Sequence, residues 1–436
     1  MMSHCLLSDI LFIGLLVIVF LLSVYGLRKP NHRLVMIRFF KKPIAVSATV
    51  VLFFFLVIGV LDSIPITVQE ERFSEHPTVL DHILSPLSQV DERTYSAPFA
   101  LTLYTKETVL IGEKIQQIYP RLSYPSVKFK TIGDVKIYCL HTVGSIFIMM
   151  LCVFMALWLF SRLVFKQKHT AFWLTLGIVL FLSYVSYVLS RDFHIFGTGK
   201  IGQDIFYYAI KSIRTGLIIG TLTTLFMMPL ALFLGVIAGY FGGFIDDMIQ
   251  YIYTTLSSVP GVLLITASVL SMQTYIAMHP QQFTTLAQSA DARLLALCFI
   301  LGVTSWTSLC RLIRAEVLKL REIDFVLAAR ALGSSSSKII VKHLLPNVMH
   351  LVVMTLVLDF SFLILAEAVL AYVGVGVSPM TISWGNMINA ARLELSREPV
   401  VWWPMLAAFS FMFTLVLSSN VFADALRDAF DPRQEV

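Results

Sequence analysis

The sequence predicts an all-α fold, a polytopic transmembrane helical bundle. Three observations carry that expectation: 57% of the 436 residues are hydrophobic, only 14% are charged, and the apolar residues gather in runs of span length. With a mean hydropathy of +0.80, so much apolar surface has no soluble core to enter, and lipid must act as its solvent. The net charge of +6 does not point to nucleic acid. Basic residues flank the apolar runs, as orientation in a bilayer requires, and no stripe of basic and aromatic residues is present. The lipid bilayer is therefore an expected partner and nucleic acid is not.

Apolar runs of roughly 20 residues give about nine candidate spans. They fall near 6–26, 43–66, 138–161, 170–190, 209–240, 248–272, 293–312, 349–373 and 402–423. The first run reads as an uncleaved span, because its positive charges follow it and no small-residue cleavage site appears. Arg28, Lys29, Arg33, Arg38, Lys41 and Lys42 fill the loop after it, which places that loop inside and the amino terminus outside. The same count puts 67–137, 191–208 and 273–292 outside, and 162–169, 241–247 and the carboxyl terminus inside. Arg162, Lys166 and Lys168 in the short inside loop agree, as does the lack of Lys and Arg in 273–291. Within the outside segment, 104–118 reads as a helix. Gly239 with Gly242 and Gly243 reads as a tight inside turn that Asp246 ends, and Pro260 as a kink in the following span. The cysteines, Cys5, Cys139, Cys152, Cys298 and Cys310, lack the spacing of a metal site or disulfide framework and read as packing residues.

The polar island Arg321–Asn347 stands out between apolar segments. It reads as two short helices joined at a turn. Asp324 is expected to cap the first, and Gly333 to supply the left-handed residue that ends it. The four serines that follow offer a second cap, and Pro346 is expected to stop the second helix after Leu345. Such a hairpin, basic and tethered to membrane spans, is suited to docking at the membrane surface. Farther along, Asp359 and Glu367 place two carboxylates within a span, where polar groups are costly. They are candidates for the translocation path, for a structural hydrogen-bonding role, or for a proton relay.

The spacing Ala328-Ala329, Gly333 and Leu345-Pro346 resembles the EAA loop of ABC-importer permeases, and the wording AARALG…HLLPN resembles the peptide/nickel permease family on its DppC/OppC side. Further matches run in that family's order: HIFGTGKIGQDIFYY from His194, AGYFGGFID from Ala238, EAVLAYVGVG from Glu367, SWGNM from Ser383 and the ending ADALRDAFDPR. Gly197, Gly199 and Gly202 also satisfy a dinucleotide-loop pattern, but no strand and βαβ unit surround them.

The resemblance implies a type I importer permease core of about six spans, to which about three are added here. It implies that the hairpin couples to an ATPase through Asp324, Ala328, Ala329, Gly333, Leu345 and Pro346. Leu327 stands where the family commonly has an acid, so that contact is expected to rest on shape and apolar surface. The implied partners are a second, DppB/OppB-like permease subunit, two cytoplasmic ABC ATPases, an extracytoplasmic solute-binding protein and a peptide substrate. ATP would be bound by the partners; no cofactor, metal ligand or catalytic residue is expected in this chain, which has no phosphate-binding P-loop, H-E-x-x-H or nucleophile elbow. The corresponding organisation is an extra amino-terminal span (1–35), a first family-like span (36–66), an outside insertion (67–137), two extra spans (138–190) and the permease domain (191–436), in the inner membrane. A secondary transporter using the intramembrane carboxylates and a membrane scaffold are the alternatives.

Overall fold

A computed structural model describes residues 6–28, 30–66, 77–88, 92–111, 114–124, 129, 131–165, 170–279, 281 and 285–430. Cys5, Lys29, Lys166, Lys168 and the terminal Asp431-Pro432-Arg433 lie outside these residues. The described chain runs α1 (Leu7–Leu27), α2 (Pro30–Lys41), α3 (Pro43–Ser63), α4 (Val79–Ile83), α5 (Ser85–Ser88), β1 (Glu107–Ile111), β2 (Lys114–Ile118), α6 (Ile132–Phe165) and α7 (Thr170–Ser190). It continues with α8 (Ile205–Phe241), α9 (Gly243–Ser258), α10 (Gly261–Met278), α11 (Leu286–Leu320), α12 (Asp324–Ala331), α13 (Ser336–Ile339), a π turn (Ile340–Leu344), α14 (Leu345–Val373), α15 (Trp384–Glu394) and α16 (Trp403–Phe430). Among the described residues, nine helical segments are long and apolar enough to cross a membrane. The polytopic helical bundle is therefore the architecture.

Three local expectations are corrected. The run 248–272 is two helices, α9 and α10, because Val259, held extended by the following Pro260, separates them; the crossing segment is the 18-residue Gly261–Met278. Residues 104–118 hold the antiparallel hairpin β1–β2, with Glu107 opposite Ile118 and Ile111 opposite Lys114. Thr108, Val109, Ile111, Ile115 and Ile118 favour strand over helix, which outweighed the helix-forming Lys and Glu between them. Gly239 lies inside α8 and serves close helix packing, leaving the turn to Gly242 and Gly243, both at positive φ.

The chain divides into two compact units. The first comprises Phe40–Thr215 and Ile382–Ser418. In it α7 packs along α3, with Ser47 Oγ 2.8 Å from Thr175 Oγ1. Thr78 and Asp81 form a reciprocal cap on α4, and Asp81 also accepts from Lys211 Nζ (2.5 Å) and Tyr207 Oη (2.6 Å). The SWGNM segment is structural here. Ser383 caps α15 through the Asn386 N–H (3.1 Å), and Trp384, fully buried, donates to the Ala209 carbonyl (3.0 Å).

The glycine-rich segment after His194 is a packed turn. Gly202 has φ +81°, and a Cβ there would stand 1.6 Å from the Glu92 carbonyl oxygen. Beneath it lies a buried charge cluster: His194 Nδ1 is 2.6 Å from Asp204 Oδ2, and its Nε2 is 3.9 Å from Glu92 Oε1, an ion-pair distance. Glu92 Oε1 accepts from the Ser123 N–H (2.8 Å), the Ser123 hydroxyl (2.9 Å) and the Tyr124 N–H (2.9 Å). Burial alone would lower the His194 pKa, but the hydrogen bond to Asp204 and the Glu92 carboxylate outweigh it and raise it to about 9. For Glu92 burial acts upward, and the facing His194 imidazolium with the Tyr124 and Ser123 donors prevails, so its carboxyl is held below the usual range.

The second unit comprises Leu6–Phe39, Gly216–Thr381 and Ser419–Val436. Its core lies between α8 and α11. A Cβ on Gly239 would meet Val317 at 2.7 Å, and one on Gly235 the Cys310 carbonyl at 2.9 Å. This small-xxx-small pair lets the two backbones approach in the manner favoured where no hydrophobic force acts between helices. Cys298 and Cys310 are free and buried, as packing residues should be, whereas Cys152 is exposed on α6. The amino-terminal helix is bound to the same framework. Asp291 Oδ2 accepts the Leu7 N–H (3.0 Å) and the Ser8 N–H (3.3 Å), and its Oδ1 accepts the Ser8 hydroxyl. The N-cap residue Leu6 makes no side-chain cap bond, and Asp291 satisfies free donors of the first turn from another helix.

Two outcomes are expected. The stability contributed by the His194 pair is fully present below the unfolded histidine pKa of about 6.5 and is lost as the pH rises through about 9. That of Glu92 is present above the usual glutamate range and lost as the pH falls below it. Proteolysis of the 92–124 segment in detergent should therefore be slowest near neutrality and quicken above pH ~9, and His194→Gln should abolish the alkaline limb. Asp291→Ala should cost about 1–3 kcal/mol by stranding buried donors, read as a lower Tm, with Asp291→Asn intermediate.

Candidate functional site

The hairpin after α11 is built on alternate burial. In α12, Val326 is fully buried and Ala329 nearly so, three residues apart on one face. They join Ile339, Leu344 and Val348 in the core that holds Tyr240, Val317 and Leu320. The opposite face carries Leu327 and Ala328, both exposed, with exposed Phe325 at the flank of the buried face beside His343 and, at the helix end, Leu332, which is 86% exposed. Val341 adds a further exposed apolar side chain.

The corner is closed as expected at Gly333 (φ +74°). Its N–H donates to the Arg330 carbonyl (3.0 Å), and the Ser334 N–H to the Ala329 carbonyl (3.1 Å). These paired bonds are a Schellman motif and satisfy carbonyls that the helix end leaves free. Other expectations are corrected. Ile323 occupies the N-cap, without a side-chain bond, and exposed Asp324 sits in the first turn, where its charge favours the helix dipole without capping. Ser335 is the second N-cap but makes no side-chain cap bond.

Pro346 does not end the second helix. Ser336–Val373 is one continuous helical segment of 38 residues. Proline lacks an N–H and its ring would press on the carbonyl four residues back, so the chain widens first: the Leu345 N–H bonds the Ile340 carbonyl, five residues back. The π turn absorbs the proline, and α14 proceeds from it. Leu345 is half-buried and Pro346 exposed. The hairpin is thus one free helix, one corner and the root of a span.

Its base is fixed by charge. Arg314 on α11 makes two bonds to Asp246 at the start of α9, Nε to Oδ1 (2.5 Å) and Nη2 to Oδ2 (2.6 Å). Arg314 hydrogen bonding holds the Asp246 carboxyl below its usual range. Arg321 Nη1 donates to the Gly239 carbonyl (3.2 Å), and the Arg330 guanidinium lies 5.5 Å from the Tyr240 ring centre. Arg321 and Asp246 stand in segments singled out from sequence, but their roles as ties did not show there. A pairing across 68 residues has no local signature.

Asp359 and Glu367 lie on α14, well away from the hairpin; Asp359 is roughly 20 Å along the helix from Leu345 at 1.5 Å per residue. Glu367 is 4% exposed and engages neighbouring groups. Asp359 is half-buried, and among the described residues its Oδ2 has no hydrogen-bond partner. The fold therefore packs Ala329 and Leu345 into one core, with the exposed Gly333 corner between them, and leaves the two carboxylates separate from it.

Residues 231–436 match the family model described as binding-protein-dependent transport system inner membrane component. The chain is 34% identical over 246 residues to the dipeptide transport system permease protein DppC of Lactococcus lactis subsp. cremoris, covering 56% of this chain and 66% of that protein, just under two thirds. It is 30% identical over 244 residues to the oligopeptide transport system permease protein OppC of Bacillus subtilis, covering 56% and 73%. It is 31% identical over 242 residues to DppC of Alkalihalophilus pseudofirmus, covering 56% and 73%.

A Cβ at Gly333 would meet nothing within 4 Å. The cost of a side chain there is therefore backbone strain alone, about 1–2 kcal/mol for a β-branched residue. Thermal unfolding in detergent should rank wild type above Gly333→Asn and Gly333→Asn above Gly333→Val.

Proposed function

The chain belongs to the family of binding-protein-dependent transport system inner membrane components, and from that premise we propose that it forms half of the translocation pore of an ATP-driven importer of oligopeptides or dipeptides. The relatives' names, dipeptide and oligopeptide permeases, support the substrate class. The observation that carries the coupling role is the two-sided hairpin. Val326, Ala329, Ile339 and Leu344 bind it to its own chain, while Leu327, Leu332 and Val341 face outward. An apolar face held this firmly suits a protein partner.

In this reading two ABC ATPases receive α12, a second permease subunit completes the pore, and a solute-binding protein delivers the peptide from outside. ATP belongs to the ATPases, and this chain holds no cofactor. When the ATPases close on ATP, the force on α12 passes through the Gly333 corner and the π turn into α14, the helix that bears Asp359 and Glu367. Arg314, Asp246 and Arg321 keep the base of the lever from yielding.

Residues 191–436 would be the permease domain, 36–66 its first span, and 1–35 and 67–190 additions to it. The amino terminus would lie outside and the carboxyl terminus in the cytoplasm. The Asp291 bonds to Leu7 and Ser8 support this orientation, because they bring the starts of α1 and α11 together while α11 ends at the coupling hairpin.

Leu332→Asp tests the coupling role without disturbing the core, since the side chain is 86% exposed. Co-purification of the ATPases with the full permease should fall, and peptide-stimulated ATP hydrolysis in vesicles should drop about tenfold or more, a loss of ~1.4 kcal/mol in coupling free energy. The Tm of the permease should stay within experimental scatter of wild type. Unchanged co-purification and coupling would refute the role.

A further inference from the structure

We infer that α2 lies on the membrane surface and binds anionic phospholipid headgroups through the face that carries Arg33, Leu34, Ile37 and Lys41. The helix has 12 residues and stands between α1 and α3, each long and apolar enough to cross a bilayer. A segment that joins two such spans is confined to the interface at that end.

One face of α2 is already taken. Phe39 is 2% exposed, and its ring meets that of Phe422 edge-on at 5.1 Å. Ile37 lies about 200° round the helix from Phe39 at 100° per residue, and it is 46% exposed, with Leu34 at 55%. Arg33 and Lys41 are exposed as well. By the same rotation Arg33, Ile37, Lys41 and Leu34 follow one another within an arc of about 100°. Basic and apolar side chains thus alternate over one outward face. In water Leu34 and Ile37 would be stranded. At an interface they enter the acyl boundary, while the arginine and lysine stems reach back to the phosphate level.

Charge selects the headgroup. Six Lys and Arg and no Asp or Glu occur from Arg28 to Lys42. An anionic membrane surface attracts each basic side chain near it, and a zwitterionic one offers no such gain. In the sequence these charges speak only to orientation; their outward pairing with Leu34 and Ile37 emerges once Phe39 is seen to face inward.

The test needs no transport assay, so it stands or falls separately from the function proposed above. The full-length chain is purified in detergent, mixed with equal amounts of phosphatidylglycerol and phosphatidylcholine, and studied by native mass spectrometry. Wild type should retain phosphatidylglycerol preferentially. The double variant Arg33→Gln/Lys41→Gln should weaken that preference by roughly five-fold per charge removed, whereas Lys338→Gln/Lys342→Gln on the hairpin should leave it intact. Leu34→Trp in vesicles containing brominated phosphatidylglycerol should add a quenched emission above wild type. An unchanged preference in the α2 variant, an equal loss in the hairpin variant, or an unquenched emission from the introduced indole, as when a protein partner covers the face, would overturn the inference.

Discussion

The close approach of α8 and α11 is the constraint on which the second unit depends. Without side chains at Gly235 and Gly239 the two backbones come near enough for Val317 and Ile313 to fill the gap. Gly239 also lies in the last turn of α8, where carbonyls lack a partner within the helix, and its carbonyl accepts from Arg321. Arg314 then reaches Asp246 across the glycine turn, and the root of α12 is set. A bulkier residue at position 239 would meet Val317 and the Arg314 carbonyl and push the two helices apart. Small residues thus decide where charged ones can act.

Much of this architecture was legible in the sequence, and the misses share a cause. Span-length apolar runs report burial in lipid directly, so the crossing segments were found in order; Pro260 breaks one, and the helices of Leu286–Leu320, Ser336–Val373 and Trp403–Phe430 run on past their apolar runs into polar sequence. The Gly333 corner was legible because positive φ has a local signature. Pro346 misled because a proline normally ends a helix; a register change just before it is invisible to residue-by-residue reasoning. Residues 104–118 hold both helix-favouring and strand-favouring side chains, and pairing with a neighbouring strand decided between them. Glu92, Asp291 and Arg314 could not be assigned at all, since each acts on a partner far along the chain.

In the first unit, sequence far apart along the chain is joined by buried charge. Glu92 receives the 123–124 backbone and faces His194. Gly202 has no room for a side chain because the Glu92 backbone occupies it. A segment held by a buried ion pair and backbone contact is committed to one position; replacing either partner leaves a charge without solvent. The 92–124 segment is therefore joined to the turn after His194 by chemistry that tolerates little drift.

The cap on α1 also has a history in time. Leu7 and Ser8 are made long before their acceptor, since Asp291 follows them by 284 and 283 positions. During synthesis the helix must enter the bilayer with those donors hydrated, and wait while the spans between α1 and α11 are inserted. Its final bond is made only when α11 arrives. A helix made early is thus completed late, and a ribosome stalled before Asp291 would leave α1 in the membrane without its anchor.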